Sequence, residues 1–239
     1  MNRNLLLAGA LAATALHVAA DEGAHTLAPY EAVYSVRIKG LGGTMTQSLQ
    51  AHEDGLLARS TLTPRGLAAV VAGGELQETS LFSVLDGALR SQRYTLVDTI
   101  GRNDDQGEMT FDWDAGTASG SLNDSTFEHQ LDDRTVDRLA LQYALMLDLL
   151  HGRINPAYTL LDKDQRKDAV IRHLGNKTID VPAGRYTVSE VHHQKAGSSR
   201  RVVLYLASEL GYLPVRIEQF KNDTRQVRAE LKTYGTPGS

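Results

Sequence analysis

The sequence predicts a mainly β protein: a strongly curved antiparallel sheet, or partial β-barrel, wrapped around one long buried helix near residues 133–151. Three observations carry this reading. Segments that alternate apolar and polar residues recur along the chain, separated by Gly, Asp and Asn turn signals. A single segment has helical spacing, and it is apolar on two faces, which requires burial on both. No linker, low-complexity tract or fixed-period repeat interrupts the chain, so residues 21–239 read as one domain.

The N-terminus comes first. Met1-Asn2-Arg3 is followed by an apolar run from Leu5 to Leu16 and by Val18-Ala19-Ala20 ahead of Asp21-Glu22. This is the charged, apolar and small-residue pattern of a signal peptide, so residues 1–20 are expected to be removed after Ala20. The apolar run is shorter than the roughly 20 residues that a membrane-spanning helix needs. The chain has no cysteine. It therefore has no site for a lipid anchor at the cleavage point and no disulfide framework, and stability must come from an apolar core. A soluble periplasmic product is the expectation.

Strand signals follow in order. Tyr30, Ala32, Tyr34, Val36 and Ile38 alternate with polar neighbours, Gly40 to Gly43 turns the chain, and strands over Thr44–Ala51 and Leu56–Thr63 flank Glu53-Asp54-Gly55. After Pro64-Arg65-Gly66, the apolar stretch Leu67–Ala72 reads either as a short element packed in the core or as a hydrophobic lip. In the second reading Leu67, Val70 and Val71 are the candidate ligand-binding residues. Strands resume over Glu75–Val84, Leu89–Asp98, Met109–Trp113 and Thr117–Leu122, with residues 101–107 as a solvated loop.

The helix is expected from Asp133 to about His151, with Asp132, Asp133 or Thr135 accepting the N–H groups of its first turn and Gly152 and Pro156 ending it. Seven further strands follow, over Tyr158–Leu161, Asp168–Leu174, Lys177–Val181, Arg185–His193, Arg200–Ala207, Leu213–Phe220 and Arg225–Tyr234. In Arg200–Ala207 both alternating faces are apolar, the mark of a central covered strand.

Several of these stretches, spread over nearly the whole chain, resemble a family of exported bacterial proteins, domain of unknown function 3108. They are Tyr30-Glu31-Ala32-Val33-Tyr34, Phe111-Asp112-Trp113, Asp137-Arg138-Leu139, Val181-Pro182-Ala183-Gly184-Arg185-Tyr186, Leu204-Tyr205-Leu206-Ala207 and Tyr212-Leu213-Pro214-Val215-Arg216-Ile217. Ala140 and Tyr205 stand where the family pattern commonly has Ser and Trp, and both read as packing changes. The resemblance implies a fold and an exported location and assigns no catalytic residue. More loosely, the architecture is similar to the periplasmic lipoprotein carriers built as open β half-barrels closed by helices, a likeness of fold alone.

Chemistry is sparse. There is no His-Glu-x-x-His, no Gly-x-Ser-x-Gly and no Gly-rich loop joining a strand to a helix. His192 and His193 are adjacent on a predicted strand and point to opposite faces. No catalytic residue, metal ligand or cofactor site is therefore assigned, and the pairs Asp104-Asp105 and Asp132-Asp133 read as a loop and a cap. Residues 21–150 hold 9 Lys/Arg against 20 Asp/Glu, and residues 151–239 hold 15 against 9. Such halves attract if they share one sheet, and without a dense basic cluster among aromatics nucleic acid is not an expected partner. What remains is binding. The leading expectation is a non-enzymatic periplasmic protein that holds an apolar or lipid-like ligand within the curved sheet. The alternative is a cell-envelope interaction or assembly factor without a small ligand.

Overall fold

The computed structural model describes residues 26–237. The expected signal peptide, residues 1–20, lies outside them. The first strands are β1 (Tyr30–Ile38), β2 (Leu41–His52), β3 (Gly55–Pro64), β4 (Leu76–Leu85), β5 (Ala88–Asp98), β6 (Asp105–Asp112), β7 (Thr117–Leu122) and β8 (Ser125–Gln130). A helical turn, α1 (Leu67–Val71), joins β3 to β4. After β9 (Thr135–Asp137) and the helix α2 (Ala140–Leu150) come β10 (Ala157–Asp162), β11 (Gln165–Val181), β12 (Gly184–Lys195), β13 (Arg200–Ala207), β14 (Leu213–Lys221) and β15 (Thr224–Gly235).

All fifteen strands form one sheet in the order β8-β7-β6-β5-β4-β3-β2-β1-β15-β14-β13-β12-β11-β10-β9. The chain leaves the central β1, steps by hairpins to one edge, crosses to the opposite edge and steps back. Among the described residues only β9 and β10 pair in parallel.

The register follows side-chain alternation. Tyr30, Ala32, Tyr34 and Val36 are buried while the residues between them are more exposed, so β1 turns one face to the core. The apolar-on-both-faces reading of β13 holds: Val203 to Ala207 are all buried. Two expected strands are one. β11 runs 17 residues and absorbs the break between His173 and Asn176 as a register shift, with Gly175 taking a φ of 89°.

The helix is corrected. It spans 11 residues, not the whole of 133–151. Thr135–Asp137 is a strand, paired with Thr159–Leu161 of β10 and fully buried. Thr135 and Val136 are β-branched and favour extended backbone wherever a partner strand is supplied. Burial is as expected, since every residue from Ala140 to Leu149 is buried. The polar members are satisfied. Asp148 accepts from Tyr158 Oη at 2.7 Å and from the Asn155 amide at 3.0 Å, and Gln142 faces Gln47 at 3.4 Å. Around the helix, Tyr30, Tyr34, Phe82, Leu161, Leu206, Leu213 and Leu231 are large side chains sealed from solvent. Tyr30 and Tyr143 join their hydroxyls at 2.9 Å, and Tyr34 donates to the Pro214 carbonyl at 2.9 Å.

The sheet does not close into a barrel, because β8 and β9 share no ladder. Side chains bridge the gap. His129 Nε2 meets the Asp164 carbonyl at 2.9 Å and Lys163 pairs with Asp105, while on the β9 side Arg166 pairs with Asp132 at 2.8 Å. The last two pairs join the basic C-terminal part to the acidic N-terminal part, the attraction that the charge division implies.

Candidate functional site

α1 sits on a rim of the sheet, and its residues face outward. Leu67, Val70 and Val71 are 79%, 84% and 77% exposed, and Ala68 alone is buried. Gly66, Gly73 and Gly74 bracket the turn with φ of 58°, 56° and 64°, the left-handed region that favours glycine. The turn is anchored at both ends. Arg65 N–H donates to the Gly42 carbonyl at 2.9 Å, and Gly101 N–H donates to the Ala72 carbonyl at 2.8 Å. These contacts bring α1 beside the β1–β2 turn and the β5–β6 loop. Leu41, 42% exposed, extends the apolar surface, and the exposed Lys39, Arg65 and Arg102 stand on the segments that touch it. The core-packed reading of this stretch is therefore corrected: it is a helical turn, but apart from Ala68 its apolar side chains face solvent.

A second polar cluster lies inside. Asp137 Oδ2 accepts from Ser80 Oγ and Ser91 Oγ, each at 2.7 Å, and Oδ1 accepts from the Leu139 and Ala140 amides at 2.9 and 2.8 Å. Burial pushes its carboxyl up to about 6 against these four donors, which pull the other way. All three side chains are fully buried, so the group meets no substrate; it caps α2 and ties β9 to β4 and β5. Next to it, Glu78 accepts from Tyr94 Oη at 2.7 Å and from Arg138 Nη2 at 3.2 Å. The cap residues expected from sequence do other work. Asp132 accepts from the Arg134 amide at 2.9 Å and from Thr159 Oγ1 at 2.7 Å, forming the turn that enters β9.

Among the described residues one group has metal-ligand proximity: His52, Glu53 and Asp54, with ligand atoms within 4.8 Å of one another. They occupy the exposed β2–β3 turn, where His52 Nδ1 accepts the Asp54 amide at 3.2 Å. A tight turn accounts for that proximity. His192 and His193 diverge as expected: His192 bonds Glu190 at 2.6 Å, whereas burial, with a smaller contribution from His192, pushes His193 down to about 4. None of the helices in the described residues is long and apolar enough to cross a membrane.

An incomplete antiparallel barrel around a short buried helix is the architecture of a β-barrel-like protein. A crystal structure of a β-barrel-like protein of domain of unknown function DUF1849 from Brucella abortus matches with a TM-score of 0.61 at 15% identity, over 88% of this chain and 98% of that one. This likeness establishes fold alone. The family model for the protein of unknown function DUF3108 matches residues 30–232, and the chain belongs to that family. Two further structures align more loosely, each with a TM-score of 0.37 and 12% identity. One is MucB, over 91% of this chain and 56% of that one. The other is a putative exported protein with a YmcC-like fold from Bacteroides fragilis, over 88% of this chain and 97% of that one. No curated protein matches the sequence.

Proposed function

We propose that the protein is a non-enzymatic, exported periplasmic binding protein that takes an apolar or lipid-like ligand, with Leu67, Val70 and Val71 as the contact. The exposure of these three side chains on a turn pinned at both ends is the observation that carries this reading. On this reading the ligand lies at the rim and not within the sheet, where α2 and the large sealed side chains are packed. Covering one Leu or Val is worth roughly 1.5–3 kcal/mol. Three of them supply roughly 4.5–9 kcal/mol, much of which the cost of association offsets, so the apolar contact alone is expected to give affinity of about millimolar order. Lys39, Arg65 and Arg102 suit an amphiphile with an anionic head.

The test is binding to vesicles of phosphatidylglycerol and phosphatidylcholine, followed by co-sedimentation. Leu67→Asp with Val70→Asp is expected to cut retention at least tenfold without changing the thermal midpoint. Wild-type protein that stays in the supernatant, or a double variant that binds as well, would overturn the proposal.

The second reading, a cell-envelope interaction factor, draws on β8. This edge strand has no ladder on its outer side among the described residues, and Ser125, Thr126, Glu128 and Gln130 are exposed, so it offers backbone groups to an extended partner strand. Proximity labelling that recovers one reproducible partner, lost on Thr126→Pro, would favour it; recovery unchanged by that substitution would sink it.

A further inference from the structure

A groove of about 510 Å³ crosses the outer face of β11, β12 and β13 at the β12–β13 turn, lined by Arg172, His192, Gln194, Lys195, Ser198 and Arg201 among others. Strand pairing assembles it. Arg172 stands opposite His192, and Gln194 opposite Arg201, so residues far apart in sequence share one face.

Two of the three cations are uncompensated. The side chains of Arg172 and Lys195 make no hydrogen bond or ion pair among the described residues. Arg201 lies over the Phe220 ring at 4.9 Å. Its Nη1 is 3.6 Å from the carboxylate of Asp223, which is 91% exposed, and its buried Nε has no hydrogen-bond partner among the described residues. No Asp or Glu lines the groove. The neighbouring Glu190 is taken up by His192 and Lys177, and Asp168, whose carbonyl receives the Ala196 amide at 3.1 Å, is exposed.

An unpaired buried N–H of a charged group is costly, and an anion placed there removes the cost. The groove lies in the basic part of the chain, where residues 151–239 hold 15 Lys/Arg against 9 Asp/Glu.

We propose that this groove binds a phosphate group. Two guanidinium forks and one ammonium match the charge and the bidentate geometry of a phosphate dianion. Gln194 and Ser198 add neutral polar atoms, and the backbone turns sharply past the site at Gly197, φ 71°. A soluble phosphate ester and a lipid headgroup present the same chemistry. The proposal does not depend on the apolar rim.

Isothermal titration of the purified protein with inorganic phosphate and glycerol phosphate, beside co-sedimentation with phosphatidic acid vesicles, tests it. Binding of the soluble anions is expected, weakened at least tenfold by Arg172→Gln with Arg201→Gln. Because Arg201 packs on Phe220, Arg172→Gln with Lys195→Gln serves as a second variant in the same measurement. Binding confined to the vesicles but lost in both variants would support the site and assign a headgroup as its source. Absence of binding in both arms, or binding that both variants leave intact, would overturn it. Leu67→Asp with Val70→Asp is expected to leave phosphate titration unchanged, which separates failure of this site from failure of the rim.

Discussion

Asp137 is the side chain whose alteration reports most directly on how the open sheet is held. Its carboxylate is the shared acceptor for Ser80, Ser91 and two amides at the start of α2. Asp137→Ala leaves the two amides without this acceptor, at roughly 1–3 kcal/mol each, so a loss of about 3–5 kcal/mol is expected once the serines are included. Asp137→Asn keeps the acceptor for the amides and turns an NH₂ toward the serine oxygens, and should cost about 1 kcal/mol. The pair also separates charge from shape. Burial raises the carboxyl from 3.8 to about 6, so between those values the folded chain holds a proton that the unfolded chain has released. Its stabilising contribution is fully present below the lower value and is lost as pH rises through the higher one, by about 3 kcal/mol in all. Other groups titrate in the same interval, so the observable is the difference between wild type and Asp137→Asn in urea unfolding at pH 4 and pH 7.5. The variant should gain about 2–3 kcal/mol relative to wild type across that interval. A difference equal at the two pH values to within about 0.5 kcal/mol would refute the reasoning.

Two further predictions concern the rim and the sheet. A Cβ on Gly74 would lie 2.0 Å from the Thr99 carbonyl oxygen at a φ of 64°, whereas one on Gly101 meets nothing within 4 Å at a φ of 70°. Gly74→Ala should therefore cost about 2–4 kcal/mol and Gly101→Ala about 1 kcal/mol in urea unfolding; equal costs would contradict the close approach. His193, pushed down to about 4 by burial and to a smaller degree by His192, should stay neutral in an NMR titration until pH nears that value. Its contribution to stability is present above its ordinary value of 6.5 and is lost as pH falls toward 4; a titration midpoint near 6.5 would show that its ring is hydrated.

Local pattern made most of the sheet legible. Alternation located β1, β5, β13 and β15 because each turns one or both faces to a core, and burial is written into the residue types at spacing two. Helical spacing marked α2 as apolar on two faces, and so buried, without fixing its start. There the sequence misleads: Thr135-Val136-Asp137 continues the helical spacing, yet β10, more than twenty residues on, claims it as a strand. β8 went unread because its residues are mostly exposed and carry little apolar alternation.

At the sites, the apolar lip is visible in Leu67, Val70 and Val71 as a run of residue types, but whether it faces core or solvent depends on what lies beneath it. The Asp137 cap draws on Ser80 and Ser91, and the phosphate groove on Arg172, Lys195 and Arg201. Neither set has a sequence signature, because pairing across strands, not spacing along the chain, brings its members together.

What the sequence by itself determined is the class of fold, the buried helix and the division of charge, since hydrophobic period and composition act locally. Only the tertiary structure decided the length of the helix, the open seam between β8 and β9, the outward face of α1 and the gathering of cations on β11–β13. The physical reason is common to all four: each depends on which distant strand completes a hydrogen-bond ladder or supplies a counter-charge, and that choice is made by long-range packing.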